Sequence, residues 1–89
     1  MIVALDYDDT ITADVAAFAE IVEVFKKRGH QVIICTARHG IGGWRDKVVQ
    51  VGILWEVPVY FTGGQPKKKY MNDRGINVDI WVDDTPWMI

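Results

Sequence analysis

The chain predicts an α/β fold: a three-layer αβα sandwich whose middle layer is a small parallel sheet of about four strands. Three observations predict it. Short, β-branched apolar runs recur along the chain and are separated by segments with helical spacing. Strands and helices alternate, which requires crossover connections and parallel strands. The first run, Ile2-Val3-Ala4-Leu5, is apolar throughout rather than alternating, as in a central strand covered on both faces.

Each element follows from local signals. Residues 2–6 read as the first strand. Thr12 is placed to cap a helix running to about Arg28, with Val15, Phe18, Ala19, Val22 and Phe25 on one face and Gly29 as its stop. Gln31 to Thr36 reads as the second strand. A glycine-rich loop from Ala37 to Gly43 leads to a short helix marked by Trp44, Val48 and Val51, expected to end near Gly52. Val57 to Phe61 is the third strand, and Thr62-Gly63-Gly64 the turn after it. Pro66 suits the first turn of a helix through about Arg74, with Tyr70 and Met71 inward and Gly75 as its stop. Val78 to Val82 is the fourth strand, and residues 85–89 are expected to cover the sheet edge. The four tryptophans are expected in the core or along its edges, with Trp87 next to the rim.

The length of 89 residues argues one domain with a modest core. A net charge of -2 gives no reason to expect a nucleic-acid or membrane surface, so the run Lys67-Lys68-Lys69 has to be read locally. No apolar run approaches the roughly 18 residues that a membrane-spanning helix needs. Met1 leads straight into a strand-like run with no basic segment, so no signal peptide is expected. A single cysteine excludes an internal disulfide framework and fits a reducing, cytoplasmic setting.

The chemistry is expected at Asp6-Tyr7-Asp8-Asp9-Thr10, where three carboxylates fall within four positions at the end of a buried strand. Like charges so close raise one another's pKa or need a cation between them, and a hard divalent metal such as Mg²⁺ prefers oxygen ligands. In open parallel sheets, ligands bind beyond the carboxyl ends of the strands, where the strand order reverses. Asp6 and Asp8 follow the first strand, Thr36 ends the second, and Asp83 and Asp84 follow the fourth. All five should meet on one rim. A carboxylate beside a metal can attack phosphorus, and a second carboxylate can protonate the leaving oxygen and later activate water. A hydroxyl and an ammonium group can hold the remaining phosphoryl oxygens. Asp6, Asp8, Asp83 or Asp84, Thr36 and a lysine of the 67–69 run supply these parts.

With these residues the chain resembles a haloacid-dehalogenase superfamily phosphatase in compact form. Asp6-Tyr7-Asp8-Asp9-Thr10 is similar to the family's DxDx[TV] first motif and Thr36 to its second. Lys67 is similar to the third-motif lysine, and Asp83-Asp84 to the acidic fourth motif. The resemblance implies Asp6 as the nucleophile that forms an aspartyl-phosphate while binding Mg²⁺. It implies Asp8 as general acid and base, lending its backbone carbonyl to the metal. Thr36 and Lys67 would hold the phosphoryl group, and Asp84, supported by Asp83, would be the direct metal ligand. Lys68 competes with Lys67 for its role, and a phosphate-rich substrate could use both Lys68 and Lys69. Arg38 follows the second motif and reads either as a grip for a second phosphate or as a solvated loop arginine.

Two departures from the family pattern bear on the substrate. Only a few residues separate Thr10 from the first helix, and no long insertion follows the third strand, so the resemblance is to the capless subclass. The fifth strand of the family is also missing. An open site suits a bulky substrate, or one covered by a partner subunit in a homo-oligomer. The expected partner is a phosphorylated small molecule, nucleotide or macromolecular end, with no membrane. The leading expectation is a phosphomonoesterase. A nucleotidase or polynucleotide 3′-phosphatase, and a weakly catalytic binding module on the same fold, are the alternatives. Cys35 is expected to be a buried structural thiol, Asp9 a turn carboxylate and Thr10 a brace for its loop, while His39 has no spaced companion ligand.

Overall fold

The computed structural model describes all residues, 1–89. Four strands form one sheet: β1 (Ile2–Leu5), β2 (Gln31–Thr36), β3 (Val59–Phe61) and β4 (Ile80–Val82). Three helices connect them: α1 (Val15–Lys27), α2 (Asp46–Trp55) and α3 (Lys67–Asp73). Every strand pair is parallel, and the order across the sheet is β3-β2-β1-β4. The chain therefore builds outward from β1 to β3, then crosses back to lay β4 on the other side of β1. The reversal lies between β1 and β4.

The side-chain alternation of the strands divides the core in two. Val3, Leu5, Val32 and Ile34 face α1 and α2, where they pack with Val22, Val48 and Val57 and with half-buried Phe18 and Phe25. Ala4, Ile33 and Cys35 face the opposite way, onto Met71 of α3 and half-buried Tyr70 and Trp81. Both faces of the central strands are covered, which is why their sequences read as unbroken apolar runs. This is the small αβα sandwich expected, and no cap domain interrupts it. Residues 6–14 are all that join β1 to α1, and residues 62–66 all that join β3 to α3.

Several local expectations are corrected. Thr12 does not cap α1. It lies in a 3₁₀ turn, Ile11–Ala13, and Asp14 is the cap, its Oδ1 accepting the Ala17 N–H at 3.0 Å. Val15, one residue past that cap, is 47% exposed rather than part of the packed stripe. Trp44 lies ahead of α2 in a separate 3₁₀ turn and is 70% exposed. The helix runs past Gly52 because that glycine is a packing position, not a stop. A Cβ there would lie 2.5 Å from Val59 Cγ2 and 3.1 Å from the Val57 carbonyl. The stop is Glu56, with φ 56° in the left-handed region, and Lys26 of α1 donates to the freed carbonyls of Trp55 and Glu56 at 2.9 and 3.0 Å. Residues 86–88 form a 3₁₀ turn in which Trp87 is 80% exposed, and Ile80 on the edge strand stays uncovered. No helix is long and apolar enough to cross a membrane.

Candidate active site

The carboxyl ends of β1 and β4 lie side by side at the reversal of strand order, where open parallel sheets bind ligands. Asp6 is the first residue past β1, and its N–H donates to Val82 O at 2.9 Å. That bond continues the β1–β4 register of Leu5 with Val82, so Asp6 arrives beside Asp83. The tight turn after β3 uses Gly63 and Gly64 at φ 63° and 90°, which a side chain would oppose. It brings the first residue of α3, Lys67, back over the same rim. Met71, one helical turn on, is fully buried and sets the orientation of that helix.

Lys67 is 5% exposed, and its ammonium group donates to Asp6 Oδ1 at 2.8 Å and to Asp83 Oδ2. A buried ammonium group needs such partners to remain charged. Burial works against its charge, but the bonds to Asp6 and Asp83 outweigh it and hold its pKa above the usual lysine value. Burial likewise pushes Asp6 up to about 6; the Lys67 bond opposes this and the nearby Asp84 adds to it. Asp83 feels burial in the same direction, but Lys67 and Thr85 together hold it below the usual carboxylate range. Thr85 contributes both its N–H, at 2.9 Å, and its hydroxyl, at 3.1 Å, to Asp83 Oδ1.

Thr10 ties the two loops together. Its Oγ1 lies 3.3 Å from Asp6 Oδ2 and 3.2 Å from Asp84 Oδ1, and it accepts the Asp84 N–H at 3.2 Å. Asp6, Asp83 and Asp84 can each offer one carboxylate oxygen within 4.8 Å of the others. This all-oxygen, anionic donor set fits a hard divalent cation. Asp83 is committed to Lys67 and Thr85, and its side chain is 1% exposed. Asp84 is exposed and bonded only through Thr10, so it is the freer ligand.

Asp8 stands apart from that cluster. Arg38 grips it as a fork, with Nε donating to Oδ2 at 2.8 Å and Nη2 to Oδ1 at 2.7 Å. The guanidinium holds the Asp8 carboxyl below the usual carboxylate range. Arg38 also donates from Nη1 to Trp44 O at 2.8 Å and lies 5.1 Å from the centre of the Tyr7 ring. Thr36 is fully buried at the end of β2, where its Oγ1 accepts the Arg38 N–H at 3.2 Å. The cleft wall beside it is Ala37.

The cleft over these groups has a volume of about 180 Å³ and is lined by Asp6, Asp8, Lys67, Asp84, Thr85 and Met88 among others. A larger cavity of about 550 Å³ lies at the amino ends of the strands, around Ile2, Gln31 and Pro58. It has no comparable convergence of carboxylates, and the strand-end rule favours the smaller cleft.

The sequence-predicted residues Asp6, Asp83, Asp84 and Lys67 thus meet in one cluster, with Asp8 and Arg38 at its edge and Thr36 behind it. Lys68 is exposed and stays outside. The reading from sequence missed Thr85 as the partner of Asp83, although Asp-x-Thr is a local turn signal. It also missed Tyr7 under Arg38 and Met88 in the cleft wall, neither of which carries a sequence signal. Comparison with known proteins returns no matching family model, no matching curated relative and no matching solved structure.

Proposed function

We propose that the chain is a Mg²⁺-dependent phosphomonoesterase of the haloacid-dehalogenase type, working in the cytoplasm through an aspartyl-phosphate on Asp6. The observation that carries this reading is Lys67 Nζ bonded to both Asp6 and Asp83 at the switch point of the sheet, with Asp84 near enough to complete a cation site. Asp6, Asp84 and Asp83 would hold the metal, which screens the charge of an incoming phosphate from that of the carboxylates. An Asp6 oxygen attacks phosphorus, and the bond from phosphorus to the ester oxygen breaks. Asp8, two residues from the nucleophile and lining the same cleft, gives a proton to the departing oxygen. A water then attacks the phosphorus, Asp8 takes the proton of that water, and the Asp6–phosphorus bond breaks to release inorganic phosphate. Lys67, positioned at the mouth of α3, stabilises the negative charge on the transferring group. Thr36, expected from sequence to hold the same group, is fully buried at the end of β2 and lies outside the cleft lining, where its Oγ1 accepts the Arg38 N–H. The shallow, uncapped cleft suits a bulky phosphorylated substrate or one covered by a second copy of the chain.

The test is release of phosphate from an aryl phosphate with and without Mg²⁺. Asp6→Asn should lose at least about a thousandfold in kcat, as expected for removal of a nucleophile. Equal turnover by the wild type and Asp6→Asn, or turnover indifferent to a chelator, would refute the proposal.

A further inference from the structure

The mechanism above gives Arg38 no task, yet Arg38 makes the most specific contact in the cleft region. Its fork takes both oxygens of Asp8, its remaining nitrogen is held by Trp44 O, and Tyr7 lies under its plane. A carboxylate in that grip has both oxygens taken up by the fork and none turned to a leaving group. The general acid proposed above is therefore locked in this structure, and something must unlock it.

Three features of the structure indicate what does. The Asp8–Arg38 pair lies at the edge of the cleft and not beneath it, with side-chain exposures of 48% and 24%. Lys67 is the only basic residue lining the cleft, and it is already divided between Asp6 and Asp83. The Arg38 backbone is tied on both sides, its N–H to Thr36 Oγ1 at 3.2 Å and its carbonyl to the Gly63 N–H at 3.2 Å, so any exchange of partner is made by the side chain alone. A second anion bound beside the phosphoryl group on the Asp8 side of the cleft would meet the Arg38 guanidinium, whose fork matches a phosphate in geometry.

We propose that Arg38 is a latch on Asp8 that a second phosphate group of the substrate opens. The guanidinium exchanges the Asp8 carboxylate for the neighbouring phosphate, which frees Asp8 to act as acid and base and at the same time binds the substrate. The preferred substrates are then phosphomonoesters bearing a second phosphate close to the first, and simple monoesters, which must wait for the latch to open unaided, turn over more slowly. This rests on the phosphatase reading of the cleft, but its test does not require turnover.

The test uses two probes that cannot be hydrolysed, methylenediphosphonate and methylphosphonate, titrated calorimetrically at fixed Mg²⁺. The quantity read is the ratio of their affinities, taken at several ionic strengths so that the general charge effect of a substitution, larger on the more highly charged diphosphonate, is separated from the contact with the fork. Because Asp8 and the second phosphonate compete for one fork, Asp8→Asn should raise the ratio about tenfold. Arg38→Ala should bring the ratio close to one, and adding Asp8→Asn to it should change nothing further. Arg38→Gln, which keeps a donor for Trp44 O, provides the same loss if the alanine variant folds poorly. A ratio unchanged by Asp8→Asn, or a preference surviving without Arg38, would overturn the latch, as would no preference in either wild type or Asp8→Asn. Failure of the phosphatase reading shows separately, as turnover unaffected by Asp6→Asn, and leaves these affinities where they are.

Discussion

Lys67→Met keeps the length and apolar stem of the side chain and deletes only its ammonium group. The two carboxylates it serves are then left together without a cation, and their side chains are 10% exposed for Asp6 and 1% for Asp83. Removing one partner from a buried ion pair costs about 3–5 kcal/mol, chiefly because the abandoned charge stays desolvated. A chain of 89 residues has a total stability of roughly 4–13 kcal/mol, and about 1 kcal/mol moves its Tm by roughly 4–8 °C. The variant should therefore melt at least about 12 °C below the wild type by circular dichroism in the absence of divalent metal. Mg²⁺ should then stabilise the variant more than the wild type, because a cation among Asp6, Asp83 and Asp84 replaces the lost charge and no longer faces the Lys67 ammonium group. A metal-free Tm within about 3 °C of the wild type, or equal stabilisation of both proteins by Mg²⁺, would refute the reasoning.

Three further outcomes test the scaffold. Asp14→Ala should cost about 1 kcal/mol by urea denaturation, since it removes the cap of α1, and Asp14→Ser should restore most of it. Gly52→Ala should destabilise by about 1–2 kcal/mol despite the better helix propensity of alanine, because the new Cβ meets Val59 and the Val57 carbonyl; an unchanged midpoint would mean that α2 can lift from β3. Cys35, its thiol pushed up to about 11 by burial, should resist a disulfide reagent in the native protein and react at once in urea. Its folded pKa exceeds the reference value of 9.0, so its contribution is present below about 9 and lost as pH rises toward about 11. Cys35→Ala should flatten that part of the stability curve.

The strand cores and the polarity of the sheet were legible because Val3 to Leu5 and Val32 to Cys35 are apolar on both faces, a pattern that only a doubly covered strand satisfies. Element ends were less legible. Thr12 and Asp14 are equally good caps in isolation, and the choice between them fell to the 3₁₀ turn in which Thr12 accepts the Asp9 N–H at 2.8 Å. Gly52 looked like a stop because glycine ends helices often. It is instead the point where α2 presses closest on β3, which no local signal reveals.

The same division runs through the candidate site. The order of residues along the chain determined that Asp6, Asp8, Thr36, Lys67, Asp83 and Asp84 belong to strand ends or to the start of a helix, because side-chain period and turn residues are local properties. Which of them touch was decided only by the tertiary structure. Lys67 rather than Lys68 is turned inward because Met71 anchors that face of α3, and Asp83 rather than Asp84 takes its charge because Thr85 fixes the Asp83 carboxylate beneath it. The pairing of Asp8 with Arg38 joins residues 30 positions apart. That contact depends on β1 and β2 lying side by side in register, and strand pairing is a long-range event on which no stretch of sequence is informative by itself.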